Sequence, residues 1–325
     1  MPPKLKTEEK IEALRHCVEQ ESKAQAGNCL KKALQEKSNF LVAKAAEFAA
    51  QKLAYDLIPD LIAAFERFML EPLSTDKTCA AKRAIARALY DLEYDNSAFF
   101  RRHLSYRQME PVYGGHVDTA IDLRCTCALG LVASNDPRAV LWLLELLHDS
   151  EYQARLGALR ALELVQPFHA ELVLRHKILQ GDEEPEVIAQ SFSSLVKAAA
   201  EDSLPFIARF LDGDNDVMRE SAALALGESR LDDALQLLIH AANQLSPFDA
   251  LTQSMYRAIA LQRKDAAYQF LLGKIANASV NEAIYAVMAL SMYNYNQDLK
   301  KQITTIAHGR KQKKLNEAFK SYWTD

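Results

Sequence analysis

Histidine and cysteine are the residue types with which this chain could bind a metal ion or carry out acid–base and nucleophilic chemistry. The chain has eight histidines and five cysteines. No histidine is followed by glutamate, and no two histidines stand four positions apart, the spacing that places two ligands on one helix face. His169 and His176 are seven residues apart, too far for one ion without a further ligand. We therefore expect no metal site.

The cysteines indicate packing rather than chemistry. Cys125 and Cys127 are two residues apart on a predicted helix, so their side chains point to different faces and make poor joint ligands. An odd number of cysteines in a long chain is typical of reduced thiols. We expect reduced cysteines and a cytoplasmic protein.

Motifs for catalysis are also missing from the sequence. It contains no glycine-rich phosphate loop, no Gly-x-Ser-x-Gly elbow and no Cys-His-Asp grouping. We therefore expect a protein that is not an enzyme, with no catalytic residues and no cofactor.

The charge pattern argues against nucleic acid as a partner. The formal net charge is −4, whereas a protein that grips a phosphate backbone usually carries a basic stripe. Basic residues gather mainly between Lys300 and Lys320, where they also complement the dipole of a last helix. We favour a solvated C-terminal cap, with nucleic-acid binding unlikely.

Nothing in the sequence predicts a membrane segment. No uncharged apolar run reaches the length of a membrane span. The stretch from Met1 to Lys10 is charged and lacks the apolar region of a signal peptide.

A motif that returns about every 30 residues predicts the architecture. An acidic or amide residue in a turn is followed, five or six residues later, by a polar or small residue and a helix rich in small side chains. The clearest copies are Asp118 with Arg124, Asp149 with Arg155, and Asp214 with Arg219. Weaker copies are Asp76 with Lys82, Glu184 with Gln190, Asp249 with Ser254, and Asn277 with Ala283. Periods of this length indicate stacked supersecondary units.

Each repeat reads as two helices. After the second motif position, small residues often recur three and six positions on, as Ala222 and Ala225 follow Arg219. This spacing predicts an amphipathic helix, helix B, whose small side chains let neighbouring helices approach closely. A helix with larger apolar residues, such as 139–147, precedes the turn and is helix A.

Three segments carry a family resemblance. Residues 136–140, 155–162 and 217–227 resemble the HEAT-repeat family, in particular the bacterial HEAT-like repeats also found in phycobilin lyases. The resemblance covers roughly residues 30–310. It implies an all-α, right-handed, armadillo-like α-solenoid of about eight helix pairs.

In that family the turn aspartate and the helix-B arginine form a ladder between adjacent repeats, and helix B lines the concave surface. The resemblance assigns ladder roles to Asp118, Arg124, Asp149, Arg155, Asp214 and Arg219. The ladder is expected to stop near residue 230, because Ser254 and Ala283 stand at the basic position farther on.

A solenoid grows by adding units, so we expect one domain over residues 1–325. Residues 1–29 are predicted to form an N-terminal capping helix region, and residues 298–325 a basic C-terminal capping helix.

One stretch lengthens the interval between the motif positions 82 and 124 to 42 residues. Pro111 and the pair Gly114-Gly115 predict an irregular loop there. Insertions in solenoids often carry recognition, which makes Tyr113 and His116 candidate contacts for a partner or ligand. The alternative is a loop folded over the solenoid edge, with Tyr113 packed inward.

The residue five positions after the second motif residue of each repeat forms a second candidate site. It is apolar in five of seven copies, although it should lie on the side of helix B opposite the face that packs against the neighbouring helices. These side chains either pack between repeats, which we favour, or line a concave groove for a partner helix or extended peptide. The candidate groove residues, with Met255 as part of the floor, are Arg87, Arg160, Leu195, Leu224, Met255, Ile259 and Met288.

The leading functional hypothesis is a non-enzymatic scaffold or adaptor whose concave surface binds a protein partner. The alternative, from the resemblance, is a phycobilin-lyase-like enzyme or subunit acting on a tetrapyrrole. A DNA glycosylase comes third, because it demands a basic concave face. The lack of His-Glu pairs speaks against the di-iron hydroxylases built on HEAT-like repeats.

Overall fold

The helices of this chain gather into two compact units. The structure, a computed structural model, describes residues 7–246 and 249–323. Its two units are Met1–Val165, here unit 1, and Gln166–Asp325, here unit 2. The prediction of a single domain over residues 1–325 stays a prediction.

Unit 1 contains ten α-helices and a β-hairpin within the described residues. The helices are α1 Thr7–Gln20, α2 Lys23–Leu34, α3 Asn39–Gln51, α4 Ile58–Leu70, α5 Pro72–Thr75, α6 Ala80–Asp91, α7 Ser97–His103, α8 Ile121–Ala133, α9 Ala139–Leu146 and α10 Tyr152–Leu162. The strands are β1 Met109–Val112 and β2 Gly115–Asp118.

The described part of unit 2 consists of helices and the segments that connect them, without a strand. Its helices are α11 Pro167–Gln180, α12 Pro185–Ala208, α13 Asp216–Ser229, α14 Asp232–Gln244, α15 Leu251–Leu261, α16 Asp265–Asn277, α17 Val280–Leu290, α18 Gln297–Gly309 and α19 Lys313–Trp323. Short 3₁₀ turns add Tyr55–Leu57, Lys77–Cys79 and Ser291–Tyr293 to the two units.

The helices pair as the repeat predicted. In unit 1 the B helices α3, α6, α8 and α10 stack in sequence, and α2, α4, α7 and α9 pack on them as A helices. In unit 2 the B-type stack runs α12, α13, α15, α17 and α19. Residues 7–246 and 249–323 thus hold nine helix pairs, close to the number expected, and the all-α repeat fold is confirmed.

Helix α12 serves two repeats. Ala200 has φ 36° and ψ −122°, which breaks the helix at that residue. The part before the break acts as helix B with α11, and the part after it acts as helix A with α13. Pro205 lies inside the helix, five residues after the break.

The turns after three of the four B helices of unit 1 use left-handed backbone. Leu53, Glu93 and Asn135 follow α3, α6 and α8 with φ of 50°, 52° and 51°. The Ala54 N–H then donates to the Ala49 carbonyl at 2.9 Å, which satisfies an orphan carbonyl of the last helical turn. Each non-glycine residue in this conformation costs about 1–2 kcal/mol.

The insertion is a β-hairpin rather than the irregular loop that the sequence predicted. β1 and β2 pair antiparallel, with Met109 opposite Asp118 and Val112 opposite Gly115. Tyr113 and Gly114 form a two-residue turn, and Gly114 takes φ +87°, a conformation that favours glycine.

The predicted caps change at both ends. Residue 29 lies inside α2, which pairs with α3, so α1 alone is the extra N-terminal helix. Residues 298–325 hold most of α18 and all of α19, because Lys311 takes φ 54° and reverses the chain between them. The predicted C-terminal helix is therefore a helix pair.

Two of the five cysteines are oxidised. Cys17 of α1 and Cys29 of α2 form a disulfide with a Cα–Cα distance of 6.6 Å. Cys79, Cys125 and Cys127 are free thiols. The expectation of reduced cysteines is wrong for the first pair.

In the described ranges, no helix is both long enough and apolar enough to traverse a lipid bilayer.

Close approach between B helices depends on glycine. A Cβ atom at Gly227 of α13 would stand 2.8 Å from the Ala258 Cα atom of α15, well inside van der Waals contact. A Cβ atom at Gly273 of α16 would meet nothing within 4 Å.

We therefore expect Gly227→Ala and Gly273→Ala to have opposite effects. Gly227→Ala should lower the free energy of unfolding by about 2 kcal/mol, because α13 and α15 must move apart. Gly273→Ala should raise it by up to about 1 kcal/mol, because alanine loses less backbone entropy in a helix. Urea denaturation followed by circular dichroism measures both. Equal effects of the two substitutions would contradict the close packing of α13 and α15.

Candidate functional site

The turn aspartates position the B helices by a shared geometry. One carboxylate oxygen accepts the N–H two residues farther on, at 2.9 Å from Ala120 to Asp118 and 2.8 Å from Glu151 to Asp149. This bond fixes the start of the helix and leaves the second oxygen free to bind a cation.

In unit 1 those second oxygens bind arginine side chains inside the protein. The Arg124 Nη1 atom lies 2.6 Å from Asp118 Oδ2, and its Nε atom lies 3.0 Å from Asp149 Oδ2. All three side chains are buried. Arg107 also contacts Asp149, with Nη2 3.1 Å from Oδ2. Arg124 thus connects two successive turns, 31 residues apart by sequence number.

The preceding turn is built around a buried ion pair between a lysine and an aspartate. Lys82 Nζ lies 2.8 Å from Asp76 Oδ2, and both side chains are fully buried. Asn39 at the start of α3 donates to Asp76 Oδ1 at 3.2 Å. Gln108, just before the hairpin, donates from Nε2 to the Asp76 carbonyl at 2.7 Å. Asp76 therefore joins α3, α6 and the base of the hairpin.

Arg155 and Lys177 vary the pattern. Arg155 Nη1 donates to the carbonyl oxygens of Asp149 and Ser150, at 2.9 and 3.3 Å. In the next turn Asp182, rather than the predicted Glu184, is the ladder-type acid. Its Oδ2 atom lies 2.8 Å from Lys177 Nζ, and its Oδ1 atom accepts the Glu184 N–H at 3.0 Å.

The ladder of unit 2 differs from the prediction at Asp214. Asp214 is exposed, because Asn215 is the residue that caps α13, accepting the Met218 N–H at 3.0 Å. Arg219 Nη2 instead lies 3.1 Å from Asp249 Oδ2, in the following turn. The ladder therefore continues past residue 230.

The hairpin presents apolar side chains to solvent. Tyr113 at the tip is fully exposed, so the alternative of an inward-packed tyrosine is wrong. Met109, Val112 and Val117 are about half exposed, and His116 is exposed as well. Valine, methionine and tyrosine exposed together on ten residues are typical of a contact surface.

Hydrogen bonds hold the hairpin at its base. Glu110 Oε1 accepts from the Thr78 N–H at 2.6 Å, from Gln108 Nε2 at 2.7 Å and from Thr119 Oγ1 at 2.9 Å. The Gln108 N–H donates to Asp118 Oδ1 at 3.1 Å. The hairpin is therefore fixed to the buried ladder, and its tip carries the exposed tyrosine on a rigid support.

Thr78 and Cys79 connect the hairpin to a groove. Both residues adopt left-handed backbone, with φ of 60° and 51°. Such strain persists only where surrounding contacts enforce it, and it often marks functional positions. Thr78 bonds to Glu110 of the hairpin and also lines the groove between α3 and α6.

The groove lies on the B-helix surface of unit 1 and has a volume of about 680 Å³, within the usual range for binding sites. Alanines of α3 and α6 make it shallow and apolar, and Phe40 and Leu53 remain about half exposed at its edge. Its apolar lining residues are Ile11, Phe40, Ala43, Ala50, Leu53, Ala80, Ala84 and Ala88.

The charged residues along the groove neutralise one another. Each charged lining side chain has an opposite charge within hydrogen-bonding distance. The pairs are Lys44 with Glu47 at 2.6 Å, Arg87 with Asp91 at 3.0 Å, and Arg83 with Asp122 of α8 at 2.8 Å.

The candidate groove residues from the sequence separate into two groups. Leu195, Met255 and Ile259 are fully buried between helices, so their assignment to a partner-binding surface is wrong. Arg87 lines the groove, and Arg160 is exposed on α10. Leu224 of α13 and Met288 of α17 are partly exposed and remain candidate contacts in unit 2.

The residues that the sequence missed lie on α3 and the turn after it. Phe40 and Leu53 precede the first motif copy, at Asp76 and Lys82, so the repeat register did not extend to them. A large apolar side chain directly after the helix start Ser38-Asn39 was the available signal.

The free cysteines are poorly suited to nucleophilic chemistry. Burial raises the pKa of Cys79 to about 12 and that of Cys125 to about 11. Burial also raises the pKa of Cys127. These thiols stay protonated at neutral pH, and the thiolate is the reactive form. Over residues 7–246 and 249–323, no group of three or more His, Cys, Asp or Glu side chains is placed to hold a metal ion.

The comparison with protein families agrees with this helix-pair architecture. Residues 172–254 match the family model described as HEAT repeats. Residues 172–254, within unit 2, are therefore assigned to HEAT repeats. No curated protein sequence matches it significantly.

Several solved structures resemble this chain at 16% identity. Human deoxyhypusine hydroxylase in complex with glycerol matches over 90% of this chain and 93% of its own, with a TM-score of 0.32. An engineered protein matches over 98% and 94%, with a TM-score of 0.39. The complex of CpcE and CpcF of phycocyanin lyase from Nostoc matches over 90% and 94%, with a TM-score of 0.32. Such distant likeness concerns the helical fold and says nothing of activity.

Asp118 gives a test of the ladder through its pH dependence. Burial raises the pKa of Asp118. The hydrogen bonds from the N–H groups of Ala120 and Gln108 and the Arg124 guanidinium lower this pKa by more than burial raises it, so that the net pKa lies below the ordinary value. A lowered carboxyl pKa stabilises the folded state above the unfolded pKa of about 3.9, and this stability is lost as the pH falls through the folded pKa.

We expect Asp118→Asn to lower the free energy of unfolding by about 3 kcal/mol at pH 7, because it leaves Arg124 buried beside a neutral amide. The difference from wild type should shrink as the pH falls from about 4, where the carboxyl of the unfolded chain binds a proton, through the lower folded pKa, where the folded carboxyl binds one as well. Urea denaturation between pH 2.5 and 7 measures this. The exposed Asp214→Asn is the control, with an expected change within about 0.5 kcal/mol. A difference for Asp118→Asn that is independent of pH would contradict the ion pair.

Proposed function

We propose that this HEAT-repeat protein is a non-enzymatic scaffold that binds an apolar segment of a partner protein in the α3–α6 groove of unit 1. The observation that carries the proposal is the pair Phe40 and Leu53, two large apolar side chains left half exposed beside an alanine-lined groove. Exposed apolar surface within a concave site is typical of recognition.

The charges of the groove support a protein segment rather than a nucleic acid. The three cations that line the groove are each paired with a carboxylate, two of which line the groove as well while the third, Asp122, lies on α8. The groove therefore has no surplus positive charge with which to attract phosphates. An occupant needs apolar side chains to fill the alanine-lined floor, as a helix or extended segment of a partner supplies.

The hairpin extends this surface. Thr78 lines the groove and bonds to Glu110, so the hairpin base adjoins one end of the groove. Tyr113 is a rigidly supported aromatic residue, the type that most often dominates binding energy at interfaces. A partner lying in the groove would contact Tyr113 or His116 if it continued past Thr78.

Selection of peptides from a displayed library tests the groove even when the natural partner is unidentified. Helical and extended peptides selected for binding to the full chain should bind wild type. Phe40→Glu and Leu53→Glu should each weaken binding at least about 30-fold, equivalent to about 2 kcal/mol, because they place a charge on the apolar contact. Fluorescence anisotropy measures the affinities.

Leu70→Glu on α4 is the matched control, because Leu70 is 80% exposed and does not line the groove. It should leave the affinity unchanged, and thermal denaturation should show all three variants folded. Binding that survives both groove substitutions would contradict the proposal. A bilin titration examines the tetrapyrrole alternative, and a shifted visible absorption band abolished by Phe40→Glu would favour it.

Leu53 allows stability and binding to be separated. Its side chain is 56% exposed and its φ is 50°, so the fold gains little from leucine there. Leu53→Asn should raise the free energy of unfolding by about 0.5–1 kcal/mol, since asparagine tolerates left-handed backbone. The same substitution should weaken binding of the selected peptides. A variant with lower stability and unchanged binding would show that Leu53 serves the fold instead.

A further inference from the structure

Helix α11 of unit 2 is apolar on two opposite sides. Its inner side chains, among them Val173, Leu174 and Ile178, are buried against the unit. On the other side Phe168, Leu172 and Leu179 are 73%, 62% and 63% exposed. A helix that is apolar all round is normally buried on both sides. The described residues of unit 2 therefore leave the exposed side of α11 uncovered.

The exposed side chains form one continuous stripe. Phe168, Leu172, Arg175 and Leu179 are separated by four, three and four residues, a spacing that keeps them on one helix face. The order of these intervals is the same in both directions along the helix. Antiparallel pairing of the stripe with itself places Phe168 opposite Leu179 of the other helix, and Leu172 opposite Arg175.

The polar groups of the stripe are compatible with such pairing. Arg175 Nη2 donates to the Asp202 carbonyl at 3.1 Å, its guanidinium lies over the Phe206 ring, and it forms an ion pair with Glu171. Its charge is therefore already balanced, and its aliphatic stem is left to cover a leucine. A second copy brings the same Glu171 and Arg175 in reversed order, so opposite charges lie near each other across the pair.

The area also fits a second copy. Three large, mostly exposed apolar side chains give a patch of roughly 300–400 Å² per chain, comparable to the largest apolar patch of a typical monomer, which is often functional. A standard interface takes about 800 Å² from each partner, with somewhat more than half of it apolar. The stripe supplies most of that apolar part, and the polar residues beside it supply the rim.

We propose that the exposed stripe of α11 is the two-fold interface of a homodimer, in which two α11 helices pack antiparallel. The contact is isologous, since the same patch serves both chains, and it therefore closes at two copies. This interface lies on unit 2, and it is independent of the α3–α6 groove.

Sedimentation equilibrium of the full-length chain tests the dimer. Wild type at 10–100 µM should have twice the mass of one chain. Leu172→Lys should raise the dissociation constant at least 100-fold, because it places a cation in the apolar contact opposite Arg175 of the other chain. Leu70→Lys, an equally drastic change at an exposed leucine of unit 1, should leave the dimer intact. Circular dichroism should show that both variants are folded.

A monomeric wild type at 100 µM would overturn the proposal, because the stripe would then belong to a different partner. A Leu172→Lys variant that remains dimeric would also overturn it, because the dimer would then use another surface.

Cysteine cross-linking tests the antiparallel arrangement. The double variant Phe168→Cys with Leu179→Cys should form intermolecular disulfides under mild oxidation, seen as a dimer on a non-reducing gel. Phe168→Cys alone should not exceed the wild-type level, because eleven helical residues, roughly 16 Å, separate the two positions 168 in the antiparallel pair. Efficient cross-linking by Phe168→Cys alone would assign a parallel pair and overturn the arrangement.

Discussion

The carboxylate of Asp76 is the buried interaction on which the arrangement of unit 1 depends. One of its oxygens accepts from Asn39 of α3 and from the Ala81 N–H, and the other accepts from Lys82 of α6. Its carbonyl oxygen accepts from Gln108 below the hairpin. A buried charge is costly unless it is paired and hydrogen-bonded, so these groups are constrained to stay together.

That constraint sets the geometry of the groove and the hairpin at once. The spacing of α3 and α6 determines the width of the groove, and both helices begin at groups bound to Asp76. The left-handed Thr78 and Cys79 follow directly, and Glu110 offsets part of their strain by accepting the Thr78 N–H. A surface held in this way loses little conformational entropy when a partner binds.

The same logic continues through Arg124, which is tied to two turns by ion pairs with Asp118 and Asp149. In unit 2 the ion pair between Lys177 and Asp182 is buried, but the contacts after it are more exposed and mixed in type, such as Arg219 with Asp249 and Tyr256 with Glu282. The later repeats of unit 2 therefore depend more on packing of small residues, as at Gly227, than on buried charge.

Much of the fold could be predicted because the repeat period and the alanine-rich helix B are local patterns. The pair Asp118 and Arg124 followed from the family resemblance. Arg219 was paired with the wrong acid. Asp214 stands at the expected sequence spacing from Arg219, but the sequence does not show that Asp249, 30 residues later, lies close to Arg219 in space.

The binding surfaces were harder to predict. The residues five positions after each second motif residue were placed by helix periodicity alone, which does not show how neighbouring helices pack. The stacked B helices bury Leu195 and Ile259, whereas Met288 is partly exposed. The hairpin had a readable signal, since Val112 and Val117 flank Tyr113 and two glycines, but Pro111 favoured the interpretation as a loop. The groove required the neighbouring helix α3, which carries no copy of the motif.

Amide hydrogen exchange in the Asp76→Asn variant tests most directly whether this one carboxylate couples the groove to the hairpin. We predict that residues 38–51, 78–91 and 107–119 lose protection together, while α13 to α17 exchange as in wild type. Asp136→Asn, at a turn aspartate whose carboxylate accepts only a local N–H from Arg138, is the control and should change its own turn alone. Loss of protection confined to residues 76–83 would contradict the coupling, because α3 and the hairpin would then be held in place without Asp76.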